Sequence, residues 1–308
     1  HPGVKRILRL MVPTLFGSSV AQINLLLDVL IASLLVEASI SWLYYGDRLM
    51  EFPLGLFGVA LSVVILPTLS SQHARATTDA FVATLTWAVR LGVVIALPAA
   101  VGLAVLAEPI TTTLFQYGEF AARDVRMTAL ALLAYCLGLP AFIGVKILAP
   151  GFYSRQDTRT PVRIAVLALV ANMGLNVLFV LAIVAWLAGG DFGDGLFATL
   201  AAHPGAHIGL ALASSASAWL NAGLLWRHLG RDKLAPTPGF RPLVAAALGC
   251  IGMAAVLITL VPGTAWWIAA GLPVRIGALV AAVAGGALVY GLVLLAAGLR
   301  PRQLLRPI

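Results

Sequence analysis

The sequence predicts an all-α fold, a polytopic membrane bundle of about eight transmembrane helices. Three observations predict it. Hydrophobic residues make up 61% of the chain and charged residues only 10%, where a soluble domain carries about 25% charge. Apolar runs of about twenty residues recur, the length that crosses a bilayer. The basic residues fall in alternate loops, as a multi-pass topology requires. Only helices suit such runs, because backbone groups in lipid must be satisfied within the segment. The net charge of +8 therefore reads as topology, and no nucleic-acid partner is expected.

The spans fall at about 11–35, 48–70, 83–107, 126–149, 161–188, 206–228, 243–262 and 275–298, in one helical domain covering residues 1–308. The first carries Gln22, Asn24 and Asp28. The second opens on Asp47, Arg48 and Glu51 and continues as an apolar run. Arg90 lies inside the third, and Lys146 near the end of the fourth. Asn172 and Asn176 lie in the fifth, Ser214, Ser215 and Ser217 in the sixth. Gly55 and Gly58, with Gly285, Gly286 and Gly291, are candidates for close helix approach. Pro53, Pro98 and Pro140 interrupt spans two, three and four, each removing a backbone donor.

Loop charge sets the orientation. Lys5, Arg6 and Arg9, then Arg75, then Arg155, Arg159 and Arg163, then Arg227, Arg231, Lys233 and Arg241, and finally Arg300, Arg302 and Arg306 all fall on one side. The opposite loops hold Arg48, Arg123, Arg126 and Arg275, diluted by Glu37, Asp47, Glu108, Glu119, Asp124, Asp191 and Asp194. The positive-inside rule puts the first group in the cytoplasm, with both termini.

The polar residues inside the spans carry the chemistry. An ionisable residue at the centre of a membrane helix costs about 2.5–3.5 kcal/mol on insertion scales. Asp47, Arg48 and Glu51 together predict a polar cavity. Arg48 and Glu51 are three apart and can pair on one face; Asp47 and Glu51 are four apart, so one negative charge is left over. The competing reading is an interfacial cap, with Asp47 capping and Arg48 snorkelling to headgroups. Asp28 has no Lys or Arg within a turn. Asn24 lies one turn away, and Asn172 and Asn176 share a face of another span. A carboxylate with amide and hydroxyl oxygens suits a hard cation. If spans one, five and six converge, Asp28, Asn172, Asn176 and an oxygen from Ser214 form a monovalent cation site, sodium being the expected ion. The competing reading is a protonated Asp28 bonded to an asparagine. Lys146 and Arg90 can snorkel, or offer charge to a phosphate.

Other groups predict less. His203 and His207 are four apart, but Pro204 and Gly205 separate them, so a solvated loop is expected rather than a metal pair. Cys136 and Cys250 sit in apolar runs and read as small core residues. No GxxxxGK[ST] run is present, so ATP hydrolysis by the chain is not expected. No enzyme constellation is visible, and a catalytic role is not expected.

The stretch SWLYYGDRLMEFPLGLFGVALSVVILPTLS, Ser41 to Ser70, resembles the MurJ (MviN) family of lipid II flippases, within the multidrug/oligosaccharidyl-lipid/polysaccharide exporter superfamily. LAPGFYSRQDTRTPV (Leu148 to Val162), VPTLFGSSVAQINLLLD (Val12 to Asp28) and LFQYGEF (Leu114 to Phe120) resemble it too. The resemblance covers roughly the first half of the chain; the later spans agree by hydropathy. It implies fourteen spans in two lobes around a central cavity. This chain then corresponds to the second lobe plus the last pair, and the first six spans are missing, consistent with its start at His1. The resemblance implies that Arg48 is the cavity arginine needed for activity, Asp47 and Glu51 its acidic neighbours, and Ser41 a cavity-facing serine. Gly46 stands where the family often has Ala, and Glu119 where a basic residue is common.

The expected function is the C-terminal part of a lipid II flippase in the bacterial inner membrane. It moves the undecaprenyl-pyrophosphate-linked peptidoglycan precursor from the cytoplasmic to the periplasmic leaflet for cell wall biogenesis. Arg48, with Lys146 on the same substrate path, faces the pyrophosphate. The expected partners are lipid II, membrane lipids and cell-wall synthesis proteins. The alternatives are a polysaccharide-lipid or drug exporter of the same superfamily, and a membrane scaffold for cell-wall enzymes.

Overall fold

The computed structural model describes residues 19, 22–191, 193 and 195–299. Lys5, Arg6, Arg9, Asp194 and the arginines of the tail lie outside them, as does the start of the first span. Among the described residues there is helix and no strand. In chain order the helices are α1 (Gln22–Ala32), α2 (Ser39–Pro53), a π-helical turn (Leu54–Val59), α3 (Ala60–Ala74), α4 (Thr78–Val105) and α5 (Ala107–Phe115). They continue with α6 (Ala122–Leu148), α7 (Pro150–Tyr153), α8 (Arg159–Leu187) and α9 (Leu196–Ala202). The last are α10 (His207–Arg231), α11 (Phe240–Leu260), α12 (Thr264–Ala269) and α13 (Leu272–Ala296).

Seven of these stretches are long and apolar enough to cross a membrane. They correspond to predicted spans two to eight, and α1 is the described part of the first. The largest boundary shift is in the second. It begins at Ser39 rather than about 48, and α2, the π turn and α3 run on as one helix of 36 residues. Asp47 therefore sits inside α2 and caps nothing, which removes the capping reading of that residue. Of the three prolines, only Pro53 changes the helix type, because the π turn follows it directly. Pro98 and Pro140 are carried within α4 and α6.

The span built from α6 and α7 is the centre of the bundle. Of its most apolar window 61% is buried, against 17–44% in the other six. It packs on α10, α4, α2 and α5. Small residues make this possible. A Cβ on Gly138 would lie 2.7 Å from the Ser215 Cα of α10, and the Ser215 hydroxyl donates to the Ala134 carbonyl at 2.6 Å. α8 and α10 cross at Gly209, where a Cβ would meet the Val180 backbone nitrogen at 2.8 Å. The glycines singled out in the sequence match this role unevenly. Gly286 packs against Leu257 and Met253, and Gly58 against Lys146 and Ile143. Gly55, Gly285 and Gly291 meet nothing within 4 Å and contribute no close approach. α11 and α13 form a pair that leans on α4, fixed by the Tyr290 hydroxyl donating to the Val94 carbonyl at 2.6 Å.

Contacts between loops define two ends. At one, Arg155 bridges to Asp232 at 2.8 Å. Arg90, which could snorkel or offer charge to a phosphate, donates its Nε to the Pro238 carbonyl at 3.2 Å and straps the loop before α11 onto α4. At the other end, Trp42 Nε1 donates to Asp124 at 2.8 Å. His207 corrects the solvated-loop expectation. It opens α10, is 1% exposed, and its Nε2 lies 3.0 Å from the Met127 carbonyl. Pro204 and Gly205 end before α10 begins, so they did not keep His207 out of a helix. Arg275, counted as a loop charge, is buried in α13. It donates to the carbonyls of Ala270 (2.9 Å), Thr112 (3.2 Å) and Ile268 (2.8 Å), near the C-terminal ends of α5 and α12. A guanidinium there meets the negative end of a helix dipole. Cys136 and Cys250 are free and buried, as expected.

Candidate functional site

α1, α2, α6, α8 and α10 enclose a cavity of about 740 Å³. α2 supplies Tyr44, Asp47, Arg48 and Glu51, which fall along one helical stripe. α6 supplies Tyr135 and Lys146, α10 Ser214, Ser217 and Asn221, and α1 Asn24 and Asp28. α2 can present this polar stripe because its other face buries Trp42, Leu43, Gly46 and Met50. At Gly46 a Cβ would lie 3.2 Å from the Leu132 backbone nitrogen, so α2 lies close against α6 beside the charged residues.

Arg48 and Glu51 form the ion pair that their spacing predicts. Their side chains are 51% and 46% exposed, so the pair faces open volume. The Arg48 guanidinium also lies over the Tyr44 ring, 5.0 Å from its centroid. A guanidinium facing a cavity, with its fork of donors, suits a phosphate or carboxylate. Ser41 is exposed on α2 and is not among the residues that line this cavity. It lies one turn beyond Tyr44 toward the helix start. Lys146 is exposed on the cavity wall.

The second constellation assembles from three helices. Both carboxylate oxygens of Asp28 accept amide bonds, from Asn24 at 3.0 Å and from Asn176 of α8 at 2.6 Å. Asn176 also donates to the Asn172 side-chain oxygen at 3.0 Å. Asn172 donates to the Ser217 hydroxyl of α10 at 3.4 Å, and Ser217 to the Ser214 carbonyl at 2.9 Å. The predicted convergence of spans one, five and six is thus observed. Ser214 enters through its carbonyl, with Ser217 as the hydroxyl. The side-chain oxygens of Asn24 and Asn176 are buried without a donor.

A family model described as "Lipid II flippase MurJ" matches residues 1–276, which include every residue of both constellations. A probable lipid II flippase MurJ of Vibrio cholerae is 42% identical over 305 residues, 98% of this chain and 54% of the relative. The chain belongs to the MurJ family. A MurJ of Burkholderia cenocepacia is 42% identical over 258 residues, 82% of the chain and 46% of the relative. A solved MurJ structure, described as an inward closed conformation, superposes with a TM-score of 0.70 at 26% identity. It aligns with 98% of this chain, and the match covers 56% of that structure. The chain spans about half the length of the curated relatives it matches. Similarity to MurJ proteins reaches beyond the four sequence motifs, which stop at Val162, into the later spans that hydropathy alone had placed.

Tyr44, Asn24 and Ser217 are the cavity residues that sequence reasoning underweighted. A tyrosine four residues before a membrane arginine carries a usable signal, because that spacing stacks the pair on one helix face. Ser217 is three residues beyond Ser214 and shares its face, so the choice between them needed coordinates.

Proposed function

We propose that this chain carries the substrate cavity of a lipid II flippase, working with a second lobe that closes the cavity's open side. The substrate is the undecaprenyl-pyrophosphate-linked peptidoglycan precursor, taken from the cytoplasmic to the periplasmic leaflet of the bacterial inner membrane. The arginine-rich loops face the cytoplasm, and this orientation rests on the positive-inside rule. The single observation that carries the reading is Arg48, an arginine in a membrane helix that is half exposed on the wall of a cavity. Arg48 grips the pyrophosphate in exchange for Glu51, and Lys146 of α6 adds charge on the cavity wall. The lipid tail stays in the bilayer while the headgroup crosses. No bond is made or broken, so the task is transport. The same reading leaves protein partners among cell-wall enzymes open to interaction with the loops. A drug exporter of the same superfamily fits less well, because an essential arginine disfavours cationic cargo.

The Asp28 cluster belongs to this proposal as a sodium site. The donor set fits: a carboxylate, two bare amide oxygens and a hydroxyl are hard oxygen ligands such an ion takes. Asp28, Asn24, Asn176 and Ser217 would hold it, with Asn172 and Ser214 bonded behind them, and its charge would offset that of the buried carboxylate.

The test of the proposal is Arg48→Ala in the intact protein. Lipid II flipping in cells should be lost while membrane insertion stays normal. Arg48→Lys should restore little, because an ammonium does not offer a planar fork to a phosphate. Full complementation by Arg48→Ala would sink the pyrophosphate role.

A further inference from the structure

We propose that Tyr44 is a positioning residue for substrate capture, whose ring holds the Arg48 guanidinium in one orientation and is itself braced through Tyr45 by Phe115 and Phe120. The inference rests on the flippase reading above. It assigns a task to the LFQYGEF stretch, which the cavity itself does not use.

The contacts form a chain from the far end of the bundle into the cavity. Phe115 ends α5, and Phe120 lies in the segment before α6; their rings are 6.2 Å apart. Tyr45 packs on both, at 4.6 Å from Phe115 and, edge-on, at 5.6 Å from Phe120. Tyr44 meets Tyr45 edge-on at 5.6 Å. Arg48 lies one turn on, with its Cζ 5.0 Å from the Tyr44 ring centroid. Edge and tilted contacts are the preferred geometries of aromatic pairs. A cation over a tyrosine face is attracted by the ring quadrupole, more strongly where water is scarce.

The consequence concerns entropy. A free arginine has many rotamers, and ordering a rotamer-rich side chain on binding weakens affinity by about two- to tenfold. Here the guanidinium already has two partners, the Tyr44 side chain beneath it and Glu51 at its Nη1. Glu51 can be displaced by an anion, whereas the ring cannot. Tyr44 therefore keeps the fork aimed while Glu51 is exchanged for phosphate. The competing account is that Tyr44 is one more aromatic of the membrane interface, with an incidental contact to Arg48.

A double-mutant cycle separates the two. Lipid II binding is measured with the purified intact protein in nanodiscs, and folding of each variant is checked by its melting temperature. Tyr44→Phe keeps the ring and should bind within about twofold of wild type. Tyr44→Leu removes the cation–π contact and should weaken binding about fivefold. In an Arg48→Ala background the same Tyr44→Leu change should have no further effect. Wild-type binding by Tyr44→Leu, or an equal loss with and without Arg48, would overturn the positioning role. Undiminished binding by Arg48→Ala alone would instead overturn the flippase reading beneath it.

Discussion

Replacing Asp28 with asparagine keeps the shape of the side chain and removes its charge. Two amides point at this carboxylate, from Asn24 at 3.0 Å and from Asn176 at 2.6 Å. An asparagine at 28 offers one oxygen and one NH₂ group, so one of the two neighbours would face a donor. That conflict has a local remedy. Asn24 and Asn176 each hold a bare, buried side-chain oxygen, and flipping one amide turns that oxygen toward the new NH₂. Both bonds at residue 28 are then neutral, with the flipped amide's NH₂ left where its bare oxygen stood. Bonds to a charged partner contribute about 1.5–3 kcal/mol and neutral ones about 1, so two bonds changing class should cost about 1–3 kcal/mol. Asp28→Leu leaves the Asn24 amide without an acceptor and takes one of two from Asn176, which keeps Asn172; it should cost more, at about 1–3 kcal/mol for each group left short. The cation response separates the variants in another way. An ion that binds only the folded state at a hundred times its Kd adds about 2.7 kcal/mol of stability. Purified wild type should therefore melt higher in sodium than in potassium chloride at equal ionic strength, and Asp28→Asn should show no difference between the salts. An equal response of the wild type to both salts would refute the sodium assignment, leaving the amides as interhelical hydrogen bonds alone.

Three further outcomes are expected. A cysteine at Asp191 should react with a membrane-impermeant thiol reagent in intact cells, while cysteines at Arg159 and Arg231 should stay unlabelled; the reverse pattern would invert the orientation. Gly209→Ala places a Cβ 2.8 Å from the Val180 nitrogen, where backbone cannot yield, so α8 and α10 must part at a cost of about 1–3 kcal/mol; an unchanged melting temperature would show that the crossing is looser than described. Arg275→Met takes a donor from three carbonyls, of which Thr112 keeps the Gln116 N–H, and should destabilise the protein by about 2–3 kcal/mol. The accompanying rise in hydrogen exchange should be confined to α5, α12 and the start of α13, and a uniform rise would contradict a local role.

The spans were legible because twenty apolar residues admit few other structures in lipid. The Arg48–Glu51 pair was legible because helix geometry puts residues three apart on one face. The Asp28 cluster was legible for a related reason: an unpaired carboxylate in a membrane helix needs partners, and amides on one face of another helix are the obvious candidates. Arg275 and His207 were misread because both stand at the ends of spans, where a polar residue is ordinarily wet. Arg275 is buried against two short helices, α5 and α12, which carry no long apolar run and so escape hydropathy. His207 is buried against the start of α6, a span that hydropathy does place; what hydropathy does not show is that the two helix ends meet. The aromatic contacts around Tyr44 bring together α2, α5 and the segment before α6, a meeting that no periodicity within one helix encodes.

The π turn after Pro53 has a consequence for how this helix tolerates change. Upstream, Tyr44, Asp47, Arg48 and Glu51 must look into the cavity; downstream, Leu61, Ile65 and Leu69 must look into the protein core. Each residue of an α-helix advances the azimuth by about 100°, so no insertion or deletion between the two sets is neutral in an unbroken α-helix. The wider turn at Leu54–Val59 works as a phase shifter between two rotational frames. The wider turn takes up about one extra residue without advancing the azimuth further, so deleting one residue inside it and closing plain α geometry should leave both frames in place. A deletion that left the π turn intact would instead swing one frame by about 100°, and either the charges would leave the cavity or the three core residues would face lipid. Length in this short window is therefore forgiving only where the π turn itself can be given up.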